Sequence, residues 1–542
     1  MRLFFRGTFL SILSLIVCAV AWASSPASSD VNEQTFVVIV ANNHSLDADT
    51  EPLRFADDDG AKYFEMFRAV GAKTALLAVL DPDAQQRYKE AAAAAVPPYR
   101  RNLMDRLDAF FDEIQAANDA GQKTHFVFVY SGHGNIGANR EGYLNLVDSK
   151  FRRSELFRDI LAKSPATFNH IVLDACHAYY MVNKKGASDK TGNYAGSVRS
   201  FLTTEELNRY PNTGVILAAS SESETHEWSK WEAGIFSHEL RSAMLGSADV
   251  DGDGKVTYAE AAACVEAANS AIDIPRARLK VFYQAPAVNV SLPLLNLSAY
   301  ARTRTPKVVF PKEMAGRYYI EDARGVRIAD FNYSAEQDLE VSLPGSGPFF
   351  VRTDTSESTI DTSQGVVLAG NLSFESRTAS SKGSVERSFR KDLYSVPFGL
   401  GFFLGAQAFL AQSGAPQADI EIREDAGPNR LTRVFGWVAL GTGLAAGVGS
   451  AVAYGLARSA FSDYQKTDSE SQAAAYQSDA ENRLLTSRVL LGVGAALTVT
   501  GGVLLVIDAV KHKKRKATEN ISRTPLVVIH PEQLFFGIQG RF

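Results

Sequence analysis

Apolar residues fall along this chain in three successive textures. Over roughly the first 300 residues, short solid apolar runs alternate with stretches of helical period. TFVVIVANN (35–43), KTALLAVLD (73–81), THFVFVYSG (124–132), FNHIVLDAC (168–176) and TGVILAASS (213–221) read as buried strands. Between them, the second half of EPLRFADDDGAKYFEMFRAVG (51–71), PPYRRNLMDRLDAFFDEIQAAND (97–119) and SELFRDILAKS (154–164) read as helices, and GIFSHELRSAMLG (234–246) follows the last strand. Strands alternating with helices predict an α/β domain over about 34–300, with a mostly parallel sheet covered on both faces.

From 306 to 392 the helical periods vanish. KVVF, RYYIED, LEVSLPG, PFFVRTD and GVVLAG alternate with turn residues, which predicts a small all-β domain. The third texture is two long apolar runs, 434–457 and 489–510. Each is long enough to span a bilayer, and together they predict a transmembrane helix hairpin. Gly494, Thr498 and Gly502 recur at every fourth position, a spacing that lets helices pack closely in lipid. VPFGLGFFLGAQAFLA (396–411) is short for a span and carries a proline, so it reads as interfacial. A basic tail, 511–542, opens with KHKKRK. Two crossings leave it on the exported side, against the positive-inside rule.

Residues 1–23 fit a secretory signal peptide: Arg2 and Arg6, an apolar run, then Ala21-Trp22-Ala23 as a cleavage site. Export and membrane anchoring are therefore expected. The 542 residues carry a net charge of −5 with no long basic tract outside the C-terminal end, so nothing points to nucleic acid. The cysteines are Cys18, Cys176 and Cys264, too few for a disulfide scaffold. Cys18 leaves with the signal, and Cys264 sits among alanines as a buried thiol.

The candidate chemistry begins at His133. Gly132, Gly134 and Gly137 fit a G-x-G-x-x-G pattern, but a strand-like GYLNLV follows where a dinucleotide site needs a helix. In a parallel sheet, reactive groups collect at the carboxyl ends of strands. One strand here ends in Ser131-Gly132-His133-Gly134 and another in Asp174-Ala175-Cys176-His177. A cysteine nucleophile needs a base beside it, and the 43 residues from His133 to Cys176 leave room for a hairpin and a helix between adjacent strands. The backbone N–H groups of Gly134 and Cys176 could receive an oxyanion. Singly, His133 could be a satisfied core histidine and Cys176 a small hydrophobe. His177 could pair with Cys176 on a metal, although further ligands at suitable spacing are not apparent.

At YSGHG and LDACHA the chain resembles the caspase-like cysteine peptidases, the group of caspases, metacaspases, paracaspases and legumains. The resemblance covers about 34–265 and implies a caspase-like three-layer sandwich. It also implies that His133 is the general base or acid, that Cys176 is the nucleophile, and that the substrate is a protein or peptide. Relatives with D-x-C resemble this chain and cut after arginine or lysine, so Asp174, Ser131 and Asp59 are implied as substrate-binding residues. Asp58 is a rival for Asp59, and Asp57 to Asp59 could instead cap the following helix. Tyr179-Tyr180 departs from the small residues such relatives often show there, which leaves a catalytically weak signalling or binding module as the alternative.

DVDGDGKVTYAE (249–260) fits the calcium-loop pattern. Its ligands would be Asp249, Asp251, Asp253, the Lys255 carbonyl, Thr257 and Glu260, with Gly254 at the turn. Ca2+ is the expected ion, stabilising or gating the domain. THEWSKWEAG (225–234) could wall the cleft or be a surface loop anchored by Trp228 and Trp231. VNKKGASDKTGN (182–193) is placed for self-cleavage at Lys184 or Lys185.

Overall fold

A computed structural model describes residues 33–377 except 49, 140, 183–205, 220–226, 229–230, 273–278 and 346. It further describes 392–412 and the strands 526–530 and 533–537. The elements that position the site are β1 (Glu33–Asn42), α1 (Ala56–Ala69), β2 (Lys73–Ala78), α2 (Arg100–Asp119), β3 (Lys123–Gly132), β4 (Phe168–Asp174), β5 (Thr213–Ala219), α3 (Ile235–Ser242), α4 (Tyr258–Asn269) and β6 (Lys280–Gln284). They build a six-stranded sheet in the order β6-β5-β4-β3-β1-β2. Five strands run parallel, and β6 closes the edge antiparallel to β5.

The solid apolar runs follow from burial on both faces. In β1, Val37, Ile39 and Ala41 belong to one core, while Phe36, Val38 and Val40 belong to the other. That is the period-two alternation of a strand. The first core also takes in Phe64 and Phe67 of α1, Leu240 of α3 and Val265 of α4. The second is filled by Leu103, Leu107, Phe110, Phe111 and Ile114 of α2. Between β3 and β4 a small antiparallel sheet, 134–136, 142–145 and 150–152, folds over the carboxyl end of the main sheet.

Beyond residue 306 the chain changes texture, but the apolar core does not stop. Strands 339–342, 307–310 and 366–368 form one sheet; 327–333, 316–322, 349–352, 356–360 and 375–376 form another. Val308, Phe310, Ile320, Phe331 and Val341 are buried in the same core as Leu245, Val256 and Tyr258. A buried polar knot ties the two parts. Asp330 accepts from Arg327 at 2.7 and 2.5 Å, lies 2.8 Å from His238 Nε2 on α3, and donates its N–H to Ser242 Oγ at 3.1 Å.

Helix Leu400–Gln412 overlaps the stretch read as interfacial, and its entry is packed on protein. Phe398 and Phe403 are buried in that common core, and Phe398 N–H donates to Asn332 O at 2.7 Å. The leader 1–23 and the apolar runs 434–457 and 489–510 lie outside the described residues. Among the described residues no helix is long and apolar enough to cross a membrane. Of the tail 511–542, Leu526–His530 and Gln533–Gly537 pair as an antiparallel hairpin.

Candidate active site

The parallel register of β3 and β4 sets Ser131 opposite Asp174. His133 and Cys176 each follow two residues beyond that rung, on neighbouring strands about 4.8 Å apart. Both side chains are buried, and Cys176 is not in a disulfide. Glycine is required on both sides of His133. Gly132 has φ +154°, and a Cβ there would stand 2.7 Å from Asn42 O. A Cβ on Gly134 would stand 2.4 Å from the Cys176 carbonyl oxygen. The two strand ends are thus pressed together backbone to backbone.

Tyr130 holds His133 in place. Its hydroxyl lies 2.8 Å from the His133 carbonyl and 3.0 Å from that of Asn145, and accepts the Asn145 N–H at 3.1 Å. Asn145 N–H also reaches His133 O at 2.9 Å. Burial pushes the His133 pKa below its ordinary 6.5, and hydrogen bonding to the backbone at Asn43 and Glu51 partly offsets this. The buried His133 Nε2 makes no hydrogen bond among the described residues. After Cys176 the chain turns sharply: His177 has φ +56°, unfavourable for a residue with a Cβ. A short helix, Tyr179–Val182, follows at once.

A second layer of charge stands beside this pair. Asp174 is buried, and its Oδ2 accepts from Ser237 N–H at 3.1 Å and Ser237 Oγ at 2.6 Å. Asp59, also buried, accepts from Gly234 N–H at 2.8 Å and faces Arg241 Nη2 at 3.2 Å. Burial pushes the Asp59 carboxyl up, and Arg241 opposes that shift. Asp57 and Asp58 take other partners. Asp57 accepts from Asn43 Nδ2 at 2.7 Å and Asp81 N–H at 2.8 Å, while Asp58 stands 3.7 Å from Arg87. None of the three caps α1. Asn43 Oδ1 does so, accepting from Ala56 N–H at 2.8 Å.

Residues 34–290 match the family model of the caspase domain. This part of the chain is a caspase domain. The family is one of cysteine peptidases and implies a protein or peptide substrate. No curated protein matches the chain.

Several residues that hold the carboxylates of Asp59 and Asp174 carry no local sequence signal. Gly234, Ser237 and Arg241 lie some 60 to 180 residues from the carboxylates they serve, beyond the reach of any spacing rule. Glu227 accepts from Arg54 N–H at 3.0 Å and Phe55 N–H at 2.8 Å, tying that residue to the start of α1. Both tryptophans of 225–234 are buried, and Trp231 stacks on His238 with ring centres 4.1 Å apart. The loop is therefore anchored by its tryptophans and also presents Gly234 to the acids.

The acidic loop of the caspase domain lies just before α4. Carboxylate oxygens of Asp249, Asp251 and Asp253 come within 4.8 Å of one another. Burial, then the like charges of Asp253 and Asp251, push the Asp249 carboxyl up to about 7. Thr257 caps α4 and is bonded reciprocally to Glu260, whose Oε2 accepts from Thr257 N–H at 2.9 Å. Lys255 turns its Nζ onto Asp253 at 2.9 Å. Crowded, partly buried carboxylates of this kind fit a hard divalent cation, which would relieve their mutual repulsion. The loop touches the later strands, where Gln337 Nε2 donates to Asp249 O at 2.7 Å.

Proposed function

We propose that the chain is a cysteine endopeptidase working through a His133–Cys176 dyad, with a preference for arginine or lysine at the scissile position. The observation that carries this reading is the Ser131–Asp174 rung, two residues before each reactive group. The Cys176 thiol gives its proton to His133, and the resulting thiolate attacks the carbonyl carbon. The oxyanion is received by the N–H groups of Gly134 and Cys176. His133 returns the proton to the leaving amine, and a water then hydrolyses the acyl-enzyme.

Asp174, with Ser131 beside it, is the substrate-facing acid in this reading. Asp59 is neutralised by Arg241, so it supports Gly234 and leaves recognition of the basic side chain to Asp174. Asp249, Asp251, Asp253, the Lys255 carbonyl, Thr257 and Glu260 would hold Ca2+ and stiffen the link to the later strands. The signal 1–23 and the apolar runs 434–457 and 489–510 support export and membrane anchoring. Self-cleavage at Lys184 or Lys185 falls outside the described residues and belongs to the same proposal.

One observation favours the second reading, a catalytically weak binding module: His133 is 7 % and Cys176 6 % exposed. The test uses the full chain and its Cys176→Ala twin, with peptides carrying Arg, Lys, Asp or Asn at the scissile position, with calcium and with chelator. Cleavage after Arg or Lys that the twin lacks supports the proposal. Cleavage after Asp keeps the peptidase and removes the acidic pocket. No cleavage by a folded protein favours the binding module.

A further inference from the structure

The turn Trp231–Gly234 is held between two sets of charges. On one side Gly234 donates to Asp59, and its Cα is so close to both acids that a Cβ would stand 2.8 Å from Asp174 Oδ2 and 3.0 Å from Asp59 Oδ2. On the other side the buried Lys62 Nζ donates to Trp231 O at 2.9 Å and Glu232 O at 2.5 Å. The Arg87 guanidinium meets the Glu232 carboxylate with both terminal nitrogens.

Between these anchors Glu232 holds φ +45°, in the left-handed region. Residues with a Cβ stay there only where their surroundings over-determine the backbone. Lys62 on the carbonyl and Arg87 on the carboxylate are those surroundings. Arg87 is itself braced from the later strands. Arg324 donates to the Arg87 carbonyl at 3.2 Å and grips Glu65 at 2.6 and 2.8 Å and Asp322 at 2.7 Å. A contiguous set of contacts therefore runs from residue 324 to the 231–234 turn.

We infer that Lys62, Arg87 and Glu232 are positioning residues for substrate selection: they lock the 231–234 turn against Asp174 and so shape the pocket that takes the basic side chain. None of the three touches substrate. The substrate role rests on the peptidase reading above; the lock itself does not.

The test compares the full chain with Arg87→Gln, Arg87→Lys and Glu232→Gly, the last because glycine accepts φ +45° without strain. Amide exchange over 231–236 reads the lock directly. About tenfold faster exchange is expected in Arg87→Gln and Glu232→Gly, with α2 unchanged and Arg87→Lys near the parent. For an arginine peptide, KM should rise about tenfold with kcat within about twofold, while iodoacetamide alkylates Cys176 at the parent rate.

Unchanged exchange in both variants overturns the lock. Faster exchange with an unaltered KM overturns the role in selection, as does a parallel loss of alkylation, which marks general damage. If Arg87→Gln loosens α2 as well, Glu232→Gly decides. If the parent cleaves no basic peptide, the basic-pocket reading falls and takes the substrate role with it. Exchange then decides the lock alone.

Discussion

Ser131 stands opposite Asp174 across β3 and β4, and this pairing decides where His133 and Cys176 emerge. Because each lies two residues past the same rung, neither can be moved along its strand without parting from the other. His133→Ala should lower kcat/KM by about 10³ with little change in KM, since a general base acts on the chemical step. Steady-state kinetics of the full chain check this.

Gly134 approaches the Cys176 carbonyl more closely than any side chain permits. Gly134→Ala would put a Cβ 2.4 Å from that oxygen, against backbone that cannot swing aside. The substitution should cost about 1–3 kcal/mol in stability by thermal unfolding and should reduce turnover by parting the strand ends.

His133 is buried, and burial lowers its pKa below 6.5. The neutral imidazole is the form that accepts a proton. Activity should therefore persist as pH falls to 6.5 and disappear only below it, the acid limb of kcat/KM lying under that value. A pH–rate profile whose acid limb lies above 6.5 would contradict the assignment of His133 as the base.

Asp330 sits within a buried knot with Arg327 and His238. Arg327 holds its carboxyl well below the usual range despite burial. Asp330→Ala removes the bidentate partner of the buried Arg327 guanidinium, leaving it Glu321 at 3.5 Å, and should destabilise the chain by about 3 kcal/mol in denaturant unfolding. Truncation at 305 exposes the core face shared with Val308 and Phe331 and should yield no cooperatively folded product.

Titration calorimetry of the full chain should show one Ca2+ bound in the loop 249–260. Asp249→Ala removes the most buried of the three clustered carboxylates and should abolish that heat. Calcium at about 100 times its Kd should add about 2.7 kcal/mol to the parent's stability and nothing to the variant's. A parent whose melting ignores both calcium and chelator would remove the ion from the proposal.

Local pattern determined a good deal by itself. Solid apolar runs mark strands buried on both faces, and helical periods mark the layers that cover them. Two short motifs at strand ends single out the candidate pair His133 and Cys176, and an evenly spaced row of oxygens marks the acidic loop. These are consequences of periodicity and of residue chemistry, which the chain carries in order. What only the tertiary structure decided concerns partners far apart in sequence. Asp59 looks like an open pocket acid until Arg241 is seen beside it. Asp57 to Asp59 look like helix caps until Asn43 is found doing that work. The change of texture near 306 looks like a domain boundary until Phe331 is found in one core with Tyr258. Each of these is a contact between segments brought together by packing, and a buried charge or apolar side chain takes whichever partner the closed fold supplies.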